Sequence, residues 1–264
     1  MNTKKIKKAL EKELNYICKE ENKLRTRAEN STNQYKEKIE SGIPDSINQT
    51  LQKAFAKAFG TILKYGSVII EKGFDKNNLK SNHEIQNFAI DSKGTRHELK
   101  KLRWSAKKSD LLNLSITAVE GVGLGTLGIG FPDIVIFTGM ILRGIYEVSL
   151  LYGYDYETPK EQYLILLMIK ASLTKGKDRY ILDNQIDQLI SSAFAVDEEE
   201  LKNEIEETSK TFATDMLVLK FIQGFPLVGI AGGIFNPVYY NKIMHYVRLK
   251  YHKRYLIKKL NSIT

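Results

Sequence analysis

The residues with the most chemical promise in this chain are glycines. Gly123-x-Gly125-x-x-Gly128 spells the turn that lets a backbone approach a dinucleotide pyrophosphate, and Glu147 falls about where a ribose-binding acid would stand. That chemistry needs a strand before the turn and an unbroken helix after it, with the pyrophosphate on the helix N-terminus. Pro132 breaks the helix within its first turn or so, and no strand–helix alternation follows. No nucleotide and no other cofactor is expected.

Ser-x-x-Lys occurs at Ser105–Lys108 and Ser172–Lys175, a spacing used in serine acyl transfer, but the companion motifs of such enzymes are missing. The four histidines, His83, His97, His245 and His252, offer no close pair for a metal. The last two are seven apart among lysines that would repel a cation, and read as surface histidines of a basic helix. No metal site is expected. No nucleophile can be placed beside a base, so the reading is non-catalytic; a hydrolase using Asp133 or Glu147 is the weakest alternative.

Asp133, Arg143 and Glu147 lie in an otherwise apolar stretch. Arg143 and Glu147 are four apart, on one face of a helix. Buried charges must be paired or they cost several kcal/mol, so the three are predicted to share an interior network that fixes helix register, with Lys220 or Asp215 as further members.

Long helices must hold these residues. Ile47, Leu51, Ala54, Phe55, Ala58, Ile62, Tyr65 and Ile69 recur at helical spacing behind Pro44. Residues 74–94 are polar and turn-rich, and read as a connector with one short helix. Thr95 and Glu98 form a capping box, and Thr158-Pro159-Lys160-Glu161 a better one. The run from Tyr163 to Ile169 is apolar on all sides, which places it mid-core. Asp197 with Glu198, Glu199 and Glu200 is an acidic helix start. Strand signals are scarce, so the fold is read as all-α: a basic N-terminal helical extension over 1–40 and one multi-helix domain over 41–264.

Two apolar segments, 121–142 and 221–241, run about the ~20 residues that a membrane-spanning helix needs. Each is broken by Pro132 or Pro226 and loaded with glycine. They are predicted as helical hairpins packed in the core, with Gly121-xxx-Gly125 and Gly229-xxx-Gly233 allowing close helix contact.

Several of these residues together resemble the EcsC family: Gly130-Phe131-Pro132-Asp133, Leu142-Arg143, Glu147, Tyr152-Gly153-Tyr154-Asp155 and Glu161, then Pro226-Leu-Val-Gly229, Gly232-Gly233, Asn236 and Arg254-Tyr255. The resemblance covers roughly residues 40–260. It implies a helical fold, a bacterial setting and a relative encoded beside an ABC transporter, with no reaction attached. Gly144, directly after Arg143, departs from a good helix sequence and is expected to mark a bend.

Charge points to partners. The net charge is +9, and residues 238–264 hold seven Lys/Arg and no acid. Ile243, Val247, Tyr251 and Tyr255 form a stripe there, as core packing or as a lipid-facing edge. Lys242, Arg248, Lys250, Lys253, Arg254, Lys258 and Lys259 surround it as a predicted surface for an anionic membrane or a membrane protein. Nucleic acid fits the charge, but no recognised module appears. A single cysteine, Cys18, and the lack of a signal-peptide pattern predict a cytoplasmic protein. The expected function is an accessory role at the inner membrane face, with a transporter or with lipid. An apolar-ligand cavity between the glycine-rich hairpins is the alternative.

Overall fold

The computed structural model describes residues 3–29, 42–70, 74–113, 132–222 and 237–263. Within them lie nine helices and no strand: α1 (Thr3–Glu29), α2 (Asp45–Ile70), α3 (Lys76–Lys93), α4 (Arg96–Asn113), α5 (Pro132–Leu151), α6 (Pro159–Leu173), α7 (Gly176–Ser191), α8 (Glu198–Ile222) and α9 (Pro237–Ile263). The all-α reading holds. Gly121, Gly125, Gly229 and Gly233, like the glycine fingerprint and Pro226, lie outside the described residues.

Helix starts follow local chemistry. Thr158 Oγ1 accepts the Glu161 amide at 3.3 Å with Pro159 at the first helical position. The Glu161 carboxylate does not turn back to close the box; it reaches α9 instead. At α8 the box is reciprocal: the Glu200 amide donates to Asp197 at 2.8 Å, and the Asp197 amide to Glu200 at 3.0 Å.

The polar connector at 74–94 is corrected. It forms an eighteen-residue helix, α3, capped by Asp75 on the Asn78 amide and closed by Gly94 in the left-handed region. Its buried contribution is mainly Ile90, so the apolar period that betrays most helices is nearly missing. The two caps supply the signal instead.

The apolar run of α6 is buried from Leu164 through Ile169, between α7, α8 and α9. α2 lays Leu51, Phe55, Ala58 and Ile62 against α8 and α5, with Phe55 and Phe212 rings 4.7 Å apart. Helix α1, read as an extension, lays Ile6, Leu10 and Ile17 against α9 in that same core. Among the described residues only α5 is long and apolar enough to cross a membrane, and 78% of that window is buried inside the fold.

Gly144 marks no break in α5, which runs unbroken to Leu151. A Cβ there would meet Tyr240 Oη at 2.5 Å and Met244 at 3.2 Å, so the glycine lets α9 cross closely. Gly153, with φ of 77°, turns the chain after α5, and the His83 ring fills the space a side chain would need.

Candidate functional site

Helix α9 holds the cations expected on a partner surface, and most of them point inward. Lys250 is 1% exposed; its Nζ lies 2.9 Å from Glu21, 2.8 Å from Asp187 and 3.4 Å from Asp183. Lys253 bridges Glu21 and Asp187, each at 2.8 Å. Arg254 donates to both Glu161 oxygens at 2.8 Å and lies 3.8 Å over the Tyr154 ring. Lys259 reaches Asp91 at 2.6 Å, and Lys242 approaches Asp215 at 3.6 Å. The expectation of an open basic face is therefore corrected for Lys250, Lys253, Arg254 and Lys259. Their partners are carboxylates of α1, α3, α6 and α7, which no count along α9 alone reveals. Lys258 stays exposed, 5.6 Å over Tyr154, and Arg248 lines a cleft described below. The stripe Ile243, Val247, Tyr251 and Tyr255 is core.

The densest cluster joins three helices. Arg179, Asp183 and Asp187 share one face of α7 at four-residue steps; Glu21 and Arg25 come from α1, and Tyr246, Lys250 and Lys253 from α9. Asp183 pairs with Arg25 at 3.1 Å and Arg179 at 3.2 Å and accepts the Tyr246 hydroxyl. Burial pushes the Asp183 carboxyl up, but Lys250, Arg179 and the Tyr246 hydrogen bond more than reverse this and hold it below its ordinary value. Burial raises the Tyr246 phenol well above its ordinary range, so it stays a neutral donor.

A second cluster surrounds Glu13, whose side chain is fully buried. Arg96 Nε lies 2.7 Å from it, Arg103 Nε 3.2 Å and His252 Nε2 3.6 Å. Burial would raise this carboxyl; His252, Arg96 and Arg103 lower it to about 2. At 3.6 Å the histidine contact is electrostatic, and the short Arg96 contact is the true hydrogen bond. His252 is thus corrected from a surface histidine to a fully buried one. Burial lowers its pKa against the pull of Glu13, which favours the neutral ring. His83 is also tied down, its Nδ1 2.9 Å from the Leu151 carbonyl. Among the described residues no three of His, Cys, Asp and Glu gather closely enough to hold a metal.

Arg143 and Glu147 pair along α5 at 3.2 Å, with 12% and 7% of their side chains exposed. Asp215 is turned toward Lys242. The Asp133 and Lys220 side chains lie outside the described residues. Neither Ser-x-x-Lys serine is poised for attack: Ser105 Oγ donates to the Lys101 carbonyl and Ser172 Oγ to the Ile169 carbonyl.

What opens to solvent is a cleft of about 490 Å³ between α1, α4 and α9. Lys100, Arg103, Trp104 and Lys107 line it from α4, His245, Arg248 and Leu249 from α9, and Tyr16 and Glu20 from α1. Arg103 is fixed between Glu13 and the Tyr16 ring, 4.4 Å away. Burial lowers Arg248 to about 10, which leaves it a cation at neutral pH. The outer face of α4 continues this character: His97, Lys100, Lys101, Trp104 and Lys107 are exposed at helical spacing. Trp104 is 65% exposed, and Ile85 and Phe88 on adjacent α3 are 65% and 72% exposed. The legible signal for this face was the chain's one tryptophan set among lysines every three or four residues.

Fold and cleft define a class: an all-α domain whose buried charges clamp its helices and whose solvent-facing lysines lie on one helix face beside a groove. The sequence profile described as the EcsC protein family matches residues 8–256, and the chain belongs to that family. It is 25% identical over 154 residues to Protein EcsC of Bacillus subtilis (strain 168), an alignment covering 57% of this chain and 62% of that relative. No solved structure matches. Tyr154, Glu161 and Arg254, from the two blocks on which the resemblance rests, meet in one contact.

Proposed function

We propose that the protein is a non-catalytic accessory protein of the bacterial cytoplasmic membrane face that docks on anionic lipid through α4 and its neighbour α3. The observation that carries this reading is Trp104, 65% exposed among Lys100, Lys101 and Lys107, with Ile85 and Phe88 exposed on the next helix. Tryptophan favours the headgroup level of a bilayer, where its ring is half buried and its N–H stays wet. Each lysine near an anionic leaflet adds about 1 kcal/mol of attraction, screened over roughly 8 Å at physiological salt. The docking face moves from α9, where the sequence put it, because the α9 cations are held by internal carboxylates.

Vesicle flotation tests this. Binding is expected with phosphatidylglycerol-containing vesicles, not with phosphatidylcholine alone, and is expected to fall with salt. Phe88→Ser and the pair Lys100→Glu and Lys101→Glu should each weaken it without unfolding the chain. Equal flotation on neutral vesicles, or unchanged flotation of these variants, contradicts the reading.

A further inference from the structure

We propose that the cleft between α1, α4 and α9 is a binding site for a phosphoester group, held by Lys100, Lys107, Arg103 and Arg248 with Trp104 against its organic part. This goes beyond membrane docking, because it assigns a ligand to a concave site rather than a partner to a face.

Four cations, Lys100, Arg103, Lys107 and Arg248, and the His245 imidazole line one cavity whose lining includes a single carboxylate, Glu20. That carboxylate is already 2.6 Å from Lys23. An anion with several acceptor oxygens can accept from several such donors at once. A tetrahedral oxyanion accepts from point-charge lysines and forked guanidiniums in different directions, which a planar carboxylate does less well.

The site is also built before any ligand arrives. Arg103 is anchored from behind by Glu13 at 3.2 Å and from the side by Tyr16, so it loses little freedom on binding. Arg248 is half-buried at the cleft wall, and a partly desolvated cation gains more from an anion than a fully exposed one does. The volume, about 490 Å³, falls in the range of small-molecule sites, roughly 300–1,000 Å³. The Trp104 and Tyr16 rings and Leu249 supply apolar wall for whatever carries the phosphate.

Phosphoester chemistry has two sources here, a lipid headgroup and a free phosphorylated metabolite. Trp104 is the only tryptophan in the chain, so its fluorescence reports the cleft directly. We would titrate the full chain with glycerol 3-phosphate and with monomeric dihexanoylphosphatidylglycerol, against sodium chloride at matched ionic strength. A saturable change with glycerol 3-phosphate supports a free metabolite, and one with the short lipid alone supports a headgroup. Lys107→Glu, whose side chain is exposed, should weaken the response about tenfold or more at an unchanged melting temperature. Arg248→Ala should weaken it similarly, with some loss of stability as well. No saturable response to either probe, or a response unchanged in Lys107→Glu, overturns the assignment. Phe88→Ser should leave the titration intact. A chain that floats on vesicles but gives no Trp104 response sinks the cleft alone, and one that responds but does not float sinks the docking face alone.

Discussion

Helices α9 and α4 are both basic, and the fold treats their cations in opposite ways. In α9 Lys250, Lys253, Arg254 and Lys259 are 1–15% exposed and each meets a carboxylate from another helix. In α4 Lys100, Lys101 and Lys107 stay on the outside around an exposed Trp104. The difference lies in what the neighbours bring. Glu21, Asp91, Glu161, Asp183 and Asp187 converge on α9 from four helices, and Tyr251 adds a 2.6 Å hydrogen bond to Glu161. Helix α4 also turns its inner side, Leu99, Leu102 and Ala106, to the core, but three of its cations stay on the solvent side. Lys101 meets Glu98 of its own helix at 3.4 Å, and a basic run can serve as a partner surface only where other helices have not already answered it.

The contrast can be broken most severely at Asp183. This carboxylate is touched by Arg25, Arg179, Lys250 and Tyr246, and removing it leaves buried cations uncompensated. Asp183→Ala should cost about 3–5 kcal/mol in chemical unfolding. A loss below about 1 kcal/mol would mean the cluster is far wetter than its burial implies.

A smaller effect is expected where α9 crosses α5. Gly144→Ala pushes a methyl to 2.5 Å from Tyr240 Oη, an overpacking worth about 1–3 kcal/mol. An unchanged or raised melting temperature would show that the crossing can relax.

Glu13 sharpens the comparison through pH, because it links α1 to Arg96 and Arg103 of α4 and to His252 of α9. Its folded pKa of about 2 lies below its ordinary 4.5. A depressed pKa contributes stability that is fully present above the unfolded value and is lost as pH falls through the folded one. Melting temperature should therefore drop between pH 4.5 and 2, and Glu13→Gln should flatten that drop while lowering stability at pH 7. Parallel pH curves for the two proteins would contradict the assignment.

The smallest effect belongs to Lys258, the exposed cation of α9. Lys258→Ala should change stability by no more than about 0.5 kcal/mol.

Much of this fold was legible because its signals are local. The caps at Thr158 and Asp197, the spacing from Leu51 to Ile62 and the all-apolar run in α6 each name their structure within a few residues. Helix α3 was read too short because Ile90 is its one deeply buried side chain, so little apolar period marks its length. The site was harder for a physical reason. Whether Lys250 is buried depends on Glu21 and Asp187, some 230 and 60 positions away in sequence, and helical spacing carries no information at that range. The Arg143–Glu147 pair could be read because both ends lie on one turn of one helix.

The central claim is that α9's cations hold the fold while α4's cations face an anionic partner, and paired charge reversal tests it most directly. Lys250, Lys253 and Arg254 would be changed together to glutamate in one protein, and Lys100, Lys101 and Lys107 in another, with thermal unfolding and flotation on phosphatidylglycerol vesicles measured for both. The first protein is predicted to lose its cooperative unfolding transition, and the second to keep a cooperative transition, lowered slightly by the loss of the Lys101–Glu98 pair, but no longer float. An α9 variant that folds normally and merely stops floating, or an α4 variant that floats like the parent, would contradict the account.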